Sequence, residues 1–434
     1  MTKTDITAVK RTPAEQSLLA GALKDGWLGE MQADARGRLE AAGLPTRRNE
    51  AWKFTDLRAK LREALTPAAP STGAIDVADI FEPIGGPALT VVNGFVRTDL
   101  SDLAALPSGV RVRSLSDVLE QDPELVRTRL SASSDRVVRD INAAFMTDGL
   151  VIEIEPGAKI ETPLRIRYVA TGADAGAAHH ARTLIIVGEG ASASVLESSA
   201  GPEGVSYLAN VVTDVSLASG ATLTHLRAQT EGAASTHLSS LDVHLSDGAA
   251  YGGFLLSAGA QLSRSEAAFT LAGEGASLGY DGVTVLDDDR HGDVTTFIDH
   301  AAPDCTSEET FRSAIADTAR GVFQGKILVQ RGAQHTDGQM GAHALLLSPK
   351  AEADAKPELE IYADDVKCAH GATCGDLDEE ALFYMRSRGL DERTARSLLI
   401  SAFLAEAMEA LTDETARGLV SERVEAWLSQ GTAA

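Results

Sequence analysis

The chain is poor in cysteine. Its 434 residues include three cysteines, Cys305, Cys368 and Cys374. Small domains that depend on disulfides carry more cysteines at closer spacing, so a disulfide framework is excluded. We therefore expect these residues to be free thiols or metal ligands in a reducing compartment.

Long apolar stretches are also missing, and positively charged residues are outnumbered by negatively charged ones. No run of about 18 apolar residues occurs, which predicts that no helix spans a membrane, and residues 1–12 lack the apolar core of a signal peptide. Asp and Glu number 63 against 39 Lys and Arg, a formal net charge of −24. Such a surface repels phosphate backbones and anionic lipids, so we expect neither a nucleic-acid nor a membrane partner. The expected location is the cytoplasm.

Common motifs of nucleotide binding and hydrolysis are absent as well. The sequence contains no G-x-x-x-x-G-K-[ST] phosphate loop, no G-x-G-x-x-G between strand and helix, and no G-x-S-x-G elbow. We therefore expect that this chain binds no nucleotide and that any dependence on ATP comes from a partner.

The chain does contain a long series of strand-like segments. From about Gly149 these segments are separated by breaks that contain a residue followed by Gly-Ala. The first glycines of this kind, Gly157, Gly190, Gly220 and Gly248, are 33, 30 and 28 residues apart. A β-sandwich would also show short strands with frequent turns. A period of roughly 30 without helical patterns indicates stacked β coils instead, and the low aromatic content, 5%, favours thin coils. We predict a mainly β fold with a β-helix (parallel solenoid) core.

Both ends of the chain are predicted to be helical. Residues 12 to about 42 begin with the capping box Thr12-Pro13-Ala14-Glu15 and end at Gly43-Leu44-Pro45. Residues 376–430 return to helical spacing. The predicted division is an N-terminal helical or mixed region (1–148), a β-helix core (149–375) and a C-terminal helical domain (376–434).

An arm with two aromatic residues follows the N-terminal helix. Trp52 and Phe54 lie among four charges in the segment 47–54. They either anchor the arm onto the core or bind a partner, and the anchoring interpretation is favoured.

The helix predicted over residues 398–411 has apolar side chains on two sides. Such a helix must be covered on both sides, one of them by the β-helix end or by neighbouring helices and the other by a partner. The candidate partner-binding residues are Leu398, Leu399, Phe403, Leu404 and Met408.

Candidate metal ligands precede these helices. Cys368, His370 and Cys374 form C-x-H-x₃-C, and on an extended chain Cys368 and His370 point to the same side. Thiolate and imidazole bind zinc and iron–sulfur clusters, but this is not a zinc-finger spacing and a structural site normally needs four ligands. Nothing in the sequence places Cys305 nearby. The residues alone favour a buried thiol and a histidine bonded to backbone.

Three blocks carry a resemblance to a known family. They are RRNEAWKFTDLR (47–58), GVFQGKILVQRGAQHTDGQ (321–339) and LEIYADDVKCAHGATCGDLDEEALFYMRSRGL (359–390). The last two resemble the SufB/SufD family of iron–sulfur cluster assembly proteins, and the first resembles the SufD branch of that family. His335 departs from the lysine expected there.

The resemblance implies a β-helix core between helical ends and a function. The expected role is a SufD-like, non-catalytic subunit of the Suf scaffold, which is not an enzyme. The implied partners are a SufB-like paralogue on the core and a SufC-like ATPase on the C-terminal helices, with a transient iron–sulfur cluster or iron at the complex interface. Flavin binding and a homodimer of the isolated chain stay open.

The resemblance also implies roles for single residues. The residues that match Cys368 and His370 lie where SufD meets SufB, and the histidine is implicated in cluster formation. Cys374 departs from the family pattern, in which an apolar residue is usual. Cys374 and Cys305 are the weaker candidates for metal ligands.

Two other functions compete with the scaffold. One is a purely structural adapter for an ABC-type ATPase, which never binds metal. The other is a β-helix carbohydrate-active enzyme, which needs clustered carboxylates or a basic residue in a groove. The polar segment 330–339 is either a solvated solenoid corner or the lining of a groove near His370.

Overall fold

The body of the protein is a solenoid in which the chain winds through two parallel sheets that enclose one interior. The computed structural model describes residues 11–20, 26–75, 79–130, 136–172 and 175–429. In chain order the strands are β1 (Thr66–Pro67), β2 (Ala88–Val92), β3 (Phe95–Val96), β4 (Val110–Ser114), β5 (Leu150–Ile154), β6 (Leu164–Val169), β7 (Ala177–Val187), β8 (Ser192–Ala200), β9 (Tyr207–Leu217), β10 (Thr222–Gln229), β11 (Thr236–Leu245), β12 (Ala250–Ser257), β13 (Leu262–Leu271), β14 (Ser277–Leu286), β15 (His291–His300), β16 (Thr306–Ile315), β17 (Arg320–Val329), β18 (Asp337–Leu346), β19 (Glu352–Ile361) and β20 (Lys367–Gly375).

The helices lie before and after this stack. They are α1 (Pro13–Leu19), α2 (Gly26–Ala42), α3 (Leu57–Lys60), α4 (Leu115–Gln121), α5 (Pro123–Leu130), α6 (Val137–Phe145), α7 (Glu379–Ser387), α8 (Glu392–Met408) and α9 (Glu414–Trp427).

The chain alternates between the two sheets, which confirms the predicted β-helix. The first sheet has the order β19-β17-β15-β13-β11-β9-β7-β5-β4 and the second β20-β18-β16-β14-β12-β10-β8-β6-β2-β3. From β5 and β6 onward each strand pairs in parallel with the strand two further along the chain. Every coil therefore contributes one strand to each sheet. The division into three domains at the predicted boundaries stays a prediction.

A left-handed turn residue recurs at one corner of the coils. The four predicted glycines have φ between +61° and +75°, and Gly275 continues the series with φ +70°. In the next two coils the position is taken by Asp304 (φ +59°) and His335 (φ +60°). The backbone amides of Asp304 and His335 each donate a hydrogen bond to the corner of the next coil. The Asp304 amide donates to the Gln334 carbonyl at 2.9 Å. Asp and His enter the left-handed region more readily than most side chains, so the repeat continues where the glycines stop.

Three apolar clusters hold the layers together. The solenoid interior is filled from both sheets, by residues such as Leu241 and Ile298. The outer face of the first sheet packs against the N-terminal region, where Ile141 of α6 is fully buried. The outer face of the second sheet packs against α8 and α9 through residues such as Val283 and Ile400. The sheets thus have covered outer faces as well as a shared core.

The N-terminal end is helical in part. The capping box is confirmed, because the Glu15 amide donates to the Thr12 hydroxyl at 3.2 Å and the Thr12 amide donates to the Glu15 carboxylate at 2.6 Å. The described residues form α1 and α2 in place of one helix over 12–42, and residues 21–25 of that prediction lie outside them. Helix α6, which the sequence analysis did not predict, packs against β9 and α2.

Candidate functional site

The terminal coil presents the predicted cysteine and histidine on its inner face. Strand β20 is the end strand of the second sheet, and the register places Cys368 beside Gly338 and His370 beside Met340 on β18. Met340 in turn lies beside Glu309, and both are buried in the solenoid. Because register partners on parallel strands face the same side, His370 continues a column of inward-facing side chains. His370 itself is exposed, since it lies at the open end of that column.

The opposite strand of the terminal coil is open in the same way. Leu359 and Ile361 of β19 pair with the buried Ile327 and Val329 of β17, so their side chains also face inward. Ile361 is nevertheless 41% exposed. The inward face of β19 is therefore only partly covered at the end of the stack.

Cys368 is half-buried and protonated at rest. The sulfur of Cys368 lies beside Gly338 of β18. A Cβ atom added to Gly338 would be 3.5 Å from this sulfur. Burial raises the pKa of the Cys368 thiol above its usual value, and the nearby Asp337 carboxylate adds to this effect. A metal ion bound here would have to displace the thiol proton, because the thiolate is the ligand form.

Cys374 and Cys305 do not join this pair. On an extended strand the four-residue separation of His370 and Cys374 spans about 13 Å, which is too far for one metal ion. Cys374 instead lines a cavity of about 40 Å³ with Phe311 and Phe323. Cys305 is buried at a solenoid corner, and its thiol donates to the Gly273 carbonyl at 3.2 Å. Among the residues that the structure describes, no group of three His, Cys, Asp or Glu side chains is arranged to hold a metal ion.

The polar segment 330–339 forms a solvated solenoid corner. The His335 imidazole lies between two carboxylates, 3.0 Å from Asp304 and 3.4 Å from Asp365, and its side chain is 60% exposed. The Gln334 side chain accepts a hydrogen bond from the Asp365 amide. These contacts stack three successive corners, which supports the structural interpretation of the segment.

The two apolar sides of α8 have different environments. Leu404 and Met408 are buried against the outer face of the second sheet, so they hold the helix on the solenoid. Leu398 is 49% exposed. Leu399 and Phe403 are half-buried, and the Arg312 guanidinium carbon lies 4.6 Å from the Phe403 ring centroid. Leu399 and Phe403 pack against the same apolar cluster as Leu404 and Met408, so Leu398 alone of the five predicted residues is exposed.

Two exposed aromatic residues near this helix were missed by the sequence analysis. Phe383 and Tyr384 of α7 are 75% and 58% exposed. Successive helical residues point about 100° apart, so two neighbouring aromatics cannot both face one core. That adjacency in the sequence is the signal that could have identified them.

No helix in the described ranges combines the length and apolar character needed to cross a membrane.

Predicted functional residues remain accessible at two surfaces, the open terminal coil and the exposed side of the C-terminal helices.

Two family models match the sequence, one in each half of the chain. Residues 168–403 match the family described as "SUF system FeS cluster assembly, SufBD core domain", and residues 21–166 match the SufBD protein N-terminal region. The iron–sulfur cluster assembly protein SufD of Escherichia coli is 31% identical over 391 residues, which cover 89% of this chain and 90% of that protein. An iron–sulfur cluster assembly SufBD family protein of Synechocystis, slr0076, is 29% identical and covers 97% of this chain and 96% of its own length. Protein ABCI7, chloroplastic, of Arabidopsis thaliana is 28% identical, with coverage of 95% and 89%. The chain therefore belongs to the SufBD family of the SUF iron–sulfur cluster assembly system.

Proposed function

We propose that this chain is the SufD-like, non-catalytic subunit of a cytoplasmic SUF scaffold that includes a SufB-like paralogue and a SufC-like ATPase. The observation that carries the proposal is the open terminal coil. Its inner face holds His370 and Cys368 at the end of an otherwise buried column. A resident catalytic centre is not needed for this role, because the iron–sulfur cluster is cargo.

The edge strands of the terminal coil support pairing with a paralogue. End strands present unpaired backbone N–H and C=O groups, which add readily to the strand of another chain. A coil of similar shape stacked there would cover the exposed inner face, including Ile361. It could also supply the ligands that complete a set begun by Cys368 and His370. A second copy of this chain offers the same edge, so a homodimer is expected when the paralogue is absent.

The C-terminal helices support docking of the ATPase. Leu398 on α8 and the aromatic pair Phe383 and Tyr384 on α7 expose apolar surface near the solenoid. Exposed apolar surface of this kind is typical of a protein interface. The buried side chains of Leu404 and Met408 have a supporting role in the proposal, since they fix α8 on the second sheet.

Co-expression with the two partners tests the proposal. His370→Ala should leave the three-protein complex intact but remove most of the bound iron and the cluster absorbance, because alanine can neither bind iron nor move a proton. Cys368→Ala should have a smaller effect, and Cys374→Val should have little effect.

The outcome separates the scaffold from the structural adapter. Clusters at the parental level in His370→Ala would make His370 structural and favour the adapter. Loss of bound iron and cluster absorbance in Cys374→Val but not in His370→Ala would show that the proposed site is wrong. Failure of the wild-type chain to co-purify with either partner would contradict both functions.

A further inference from the structure

A pocket of about 190 Å³ lies where the N-terminal region meets the first sheet. Its walls come from α1, α2, the β1 segment, the end of α6 and the start of β7. Strand β7 lies toward the opposite end of the first sheet from β19, so the pocket is separate from the open terminal coil. A cavity of about 150 Å³ is large enough to hold benzene. The volume therefore suits a single ring with small substituents.

Apolar side chains form much of the pocket wall. Leu18 of α1 and Ala178 of β7 are buried there, and Leu65 and Phe145 are half-buried. Apolar walls with a few polar groups are typical of small-molecule sites. An aromatic side chain in the wall favours a ligand ring that packs against it. The pocket is therefore suited to an aromatic ligand body.

Three polar residues of the wall use their donors within the protein. The Ser17 hydroxyl donates to a carbonyl of α1 at 2.9 Å, and Nδ2 of Asn93 donates to a threonine hydroxyl at 2.9 Å. The Thr147 hydroxyl donates to a turn carbonyl at 3.2 Å. These contacts hold the wall in place. The polar contacts of a ligand would come mainly from Arg36 and His180.

Arg36 brings a positive charge to this pocket. Its guanidinium carbon lies 4.9 Å from the centroid of the Phe145 ring, and its Nη2 donates to the Ala144 carbonyl at 3.5 Å. Burial lowers the pKa of Arg36, but a guanidinium stays protonated in proteins. Because its five N–H groups form a planar fork, it can pair with a carboxylate in addition to its contacts within the protein. The expected head group of the ligand is thus a carboxylate.

His180 offers a hydrogen-bond acceptor. Burial lowers the pKa of His180 to about 4, so its ring is neutral at neutral pH. Nδ2 of Asn210 donates to the Val138 carbonyl at 3.1 Å, and the amide oxygen of Asn210 lies 3.3 Å from Nδ1 of His180. An amide oxygen only accepts hydrogen bonds, so Nδ1 carries the ring proton and Nε2 is the acceptor. A hydroxyl group on the ligand can donate to Nε2.

The two groups are close enough to bind one small ligand. The His180 ring centroid lies 5.5 Å from that of Phe145, and the Arg36 guanidinium carbon lies 4.9 Å from the same Phe145 centroid. The guanidinium and the imidazole are therefore no more than about 10 Å apart. A carboxylate and a hydroxyl in meta positions of a benzene ring fit this span better than the longer para arrangement. An ortho hydroxyl would bond to its own carboxylate.

We propose that this pocket binds a small aromatic carboxylate with a meta hydroxyl group, of the 3-hydroxybenzoate class. The ring lies between the apolar walls beside Phe145, the carboxylate pairs with Arg36, and the hydroxyl donates to Nε2 of His180. The ligand contacts both layers, so its binding ties the N-terminal helices to the start of β7. The site needs neither iron nor either proposed partner.

Isothermal titration calorimetry on the isolated full chain tests the ligand class. We expect 3-hydroxybenzoate to bind with a Kd of about 1 mM or tighter. Benzoate lacks the hydroxyl and should bind about two- to tenfold more weakly. Phenol lacks the carboxylate and should bind at least about tenfold more weakly, because hydrogen bonds to charged groups contribute more. Equal affinity for the three compounds would overturn the proposed class. Failure of 3-hydroxybenzoate to bind at roughly ten times that Kd would overturn the site.

Matched variants on α2 test the carboxylate contact. Arg36→Gln keeps a polar side chain but removes the charge, and it should weaken 3-hydroxybenzoate binding about tenfold or more. Arg38→Gln on the same helix is the control, since Arg38 pairs with Asp140 at 2.6 Å and is not part of the pocket wall. The control should bind like the parent. Equal affinity of the two variants would overturn the role of Arg36.

A further variant tests the hydroxyl contact. His180→Phe removes the acceptor but keeps a ring of similar size, so 3-hydroxybenzoate and benzoate should bind to it with equal affinity. A retained preference for 3-hydroxybenzoate would show that the hydroxyl does not donate to His180.

A blocked pocket keeps the test decisive if the Arg36 or His180 variant does not fold. Ala68 is half-buried and lines the pocket, whereas Ala64 is exposed and lies outside it. Ala68→Phe should abolish binding and Ala64→Phe should not, with far-ultraviolet circular dichroism as the check of folding. Saturating 3-hydroxybenzoate should raise the melting temperature of the parent and of Ala64→Phe but not of Ala68→Phe. Binding by folded Ala68→Phe would overturn the proposed site.

Discussion

The guanidinium carbon of Arg264 lies 3.9 Å from the centroid of the Trp52 ring. Arg264 is fully buried on β13, and its Nη2 also donates to the Ala51 carbonyl at 2.9 Å. A second contact of the arm reaches the terminal coil, where Lys356 of β19 pairs with Glu50 at 2.6 Å. The arm therefore crosses several coils of the first sheet, and Trp52 has the anchoring role that was favoured over partner binding.

Loss of this ring should destabilise the protein strongly. Trp52 is 3% exposed, and truncation of a buried tryptophan to alanine costs about 3–5 kcal/mol. We expect Trp52→Ala to lower the free energy of unfolding by that amount in urea denaturation. Phe54→Ala is the control, since Phe54 is only half-buried. Equal losses in the two variants would contradict the anchoring role.

Charge on the two sides of α8 should have opposite consequences. Leu398→Asp places a carboxylate on an exposed surface, so the chain should fold normally but lose binding of the SufC-like ATPase in a pulldown. Leu404→Asp buries an uncompensated charge against the second sheet and should unfold the C-terminal helices. Phe403→Asp is less informative, because Phe403 also contacts Arg312. Normal ATPase binding by folded Leu398→Asp would disprove docking through this face.

The buried Glu309 should make stability depend on pH. Burial raises its pKa from the usual 4.5 to about 8, while a hydrogen bond from Thr296 opposes that shift. Between pH 4.5 and about 8, the Glu309 carboxyl keeps its proton in the folded state but loses it in the unfolded state. The free energy of unfolding therefore falls progressively as the pH rises through this range.

Glu309→Gln should remove this effect, because glutamine stays neutral and can still accept from Thr296. Urea denaturation should be measured at pH 5 and at pH 8. The stability of Glu309→Gln minus that of the parent should be larger at pH 8 than at pH 5. The control is Glu189→Gln at an exposed solenoid turn. A pH-independent difference between Glu309→Gln and the parent would show that the carboxyl is ionised in the folded state.

The left-handed corners should tolerate only a small set of residues. Gly220 has φ +65°, and a Cβ there would meet only the Gly190 Cα, at 3.9 Å. The cost of Gly220→Ala is therefore backbone strain of about 1–2 kcal/mol. Gly252 on β12 has an ordinary φ and open space around its Cα, so Gly252→Ala should be neutral or slightly stabilising in thermal denaturation. The opposite ranking would mean that the corners do not need the left-handed conformation.

The sequence by itself determined the features that depend on local spacing. Alternating side chains and glycines about 30 residues apart predicted the coils, because each strand is short and each corner needs a left-handed residue. The capping box at Thr12 and the shared side of Cys368 and His370 likewise follow from neighbours in the chain. These are short-range rules, and the structure satisfies them.

Only the tertiary structure decided what each position contacts. Asp304 and His335 replace glycine at the later corners; their residue types tolerate the left-handed conformation, but only the stacking of the coils shows that these two residues adopt it. The two apolar sides of α8 look alike in sequence, and packing on the second sheet alone distinguishes Leu404 from Leu398. Cys374 shares a motif with Cys368, yet the rise of an extended strand, about 3.3 Å per residue, separates them. Contacts between coils join residues some 30 positions apart, so they depend on how the whole chain stacks and not on any one segment.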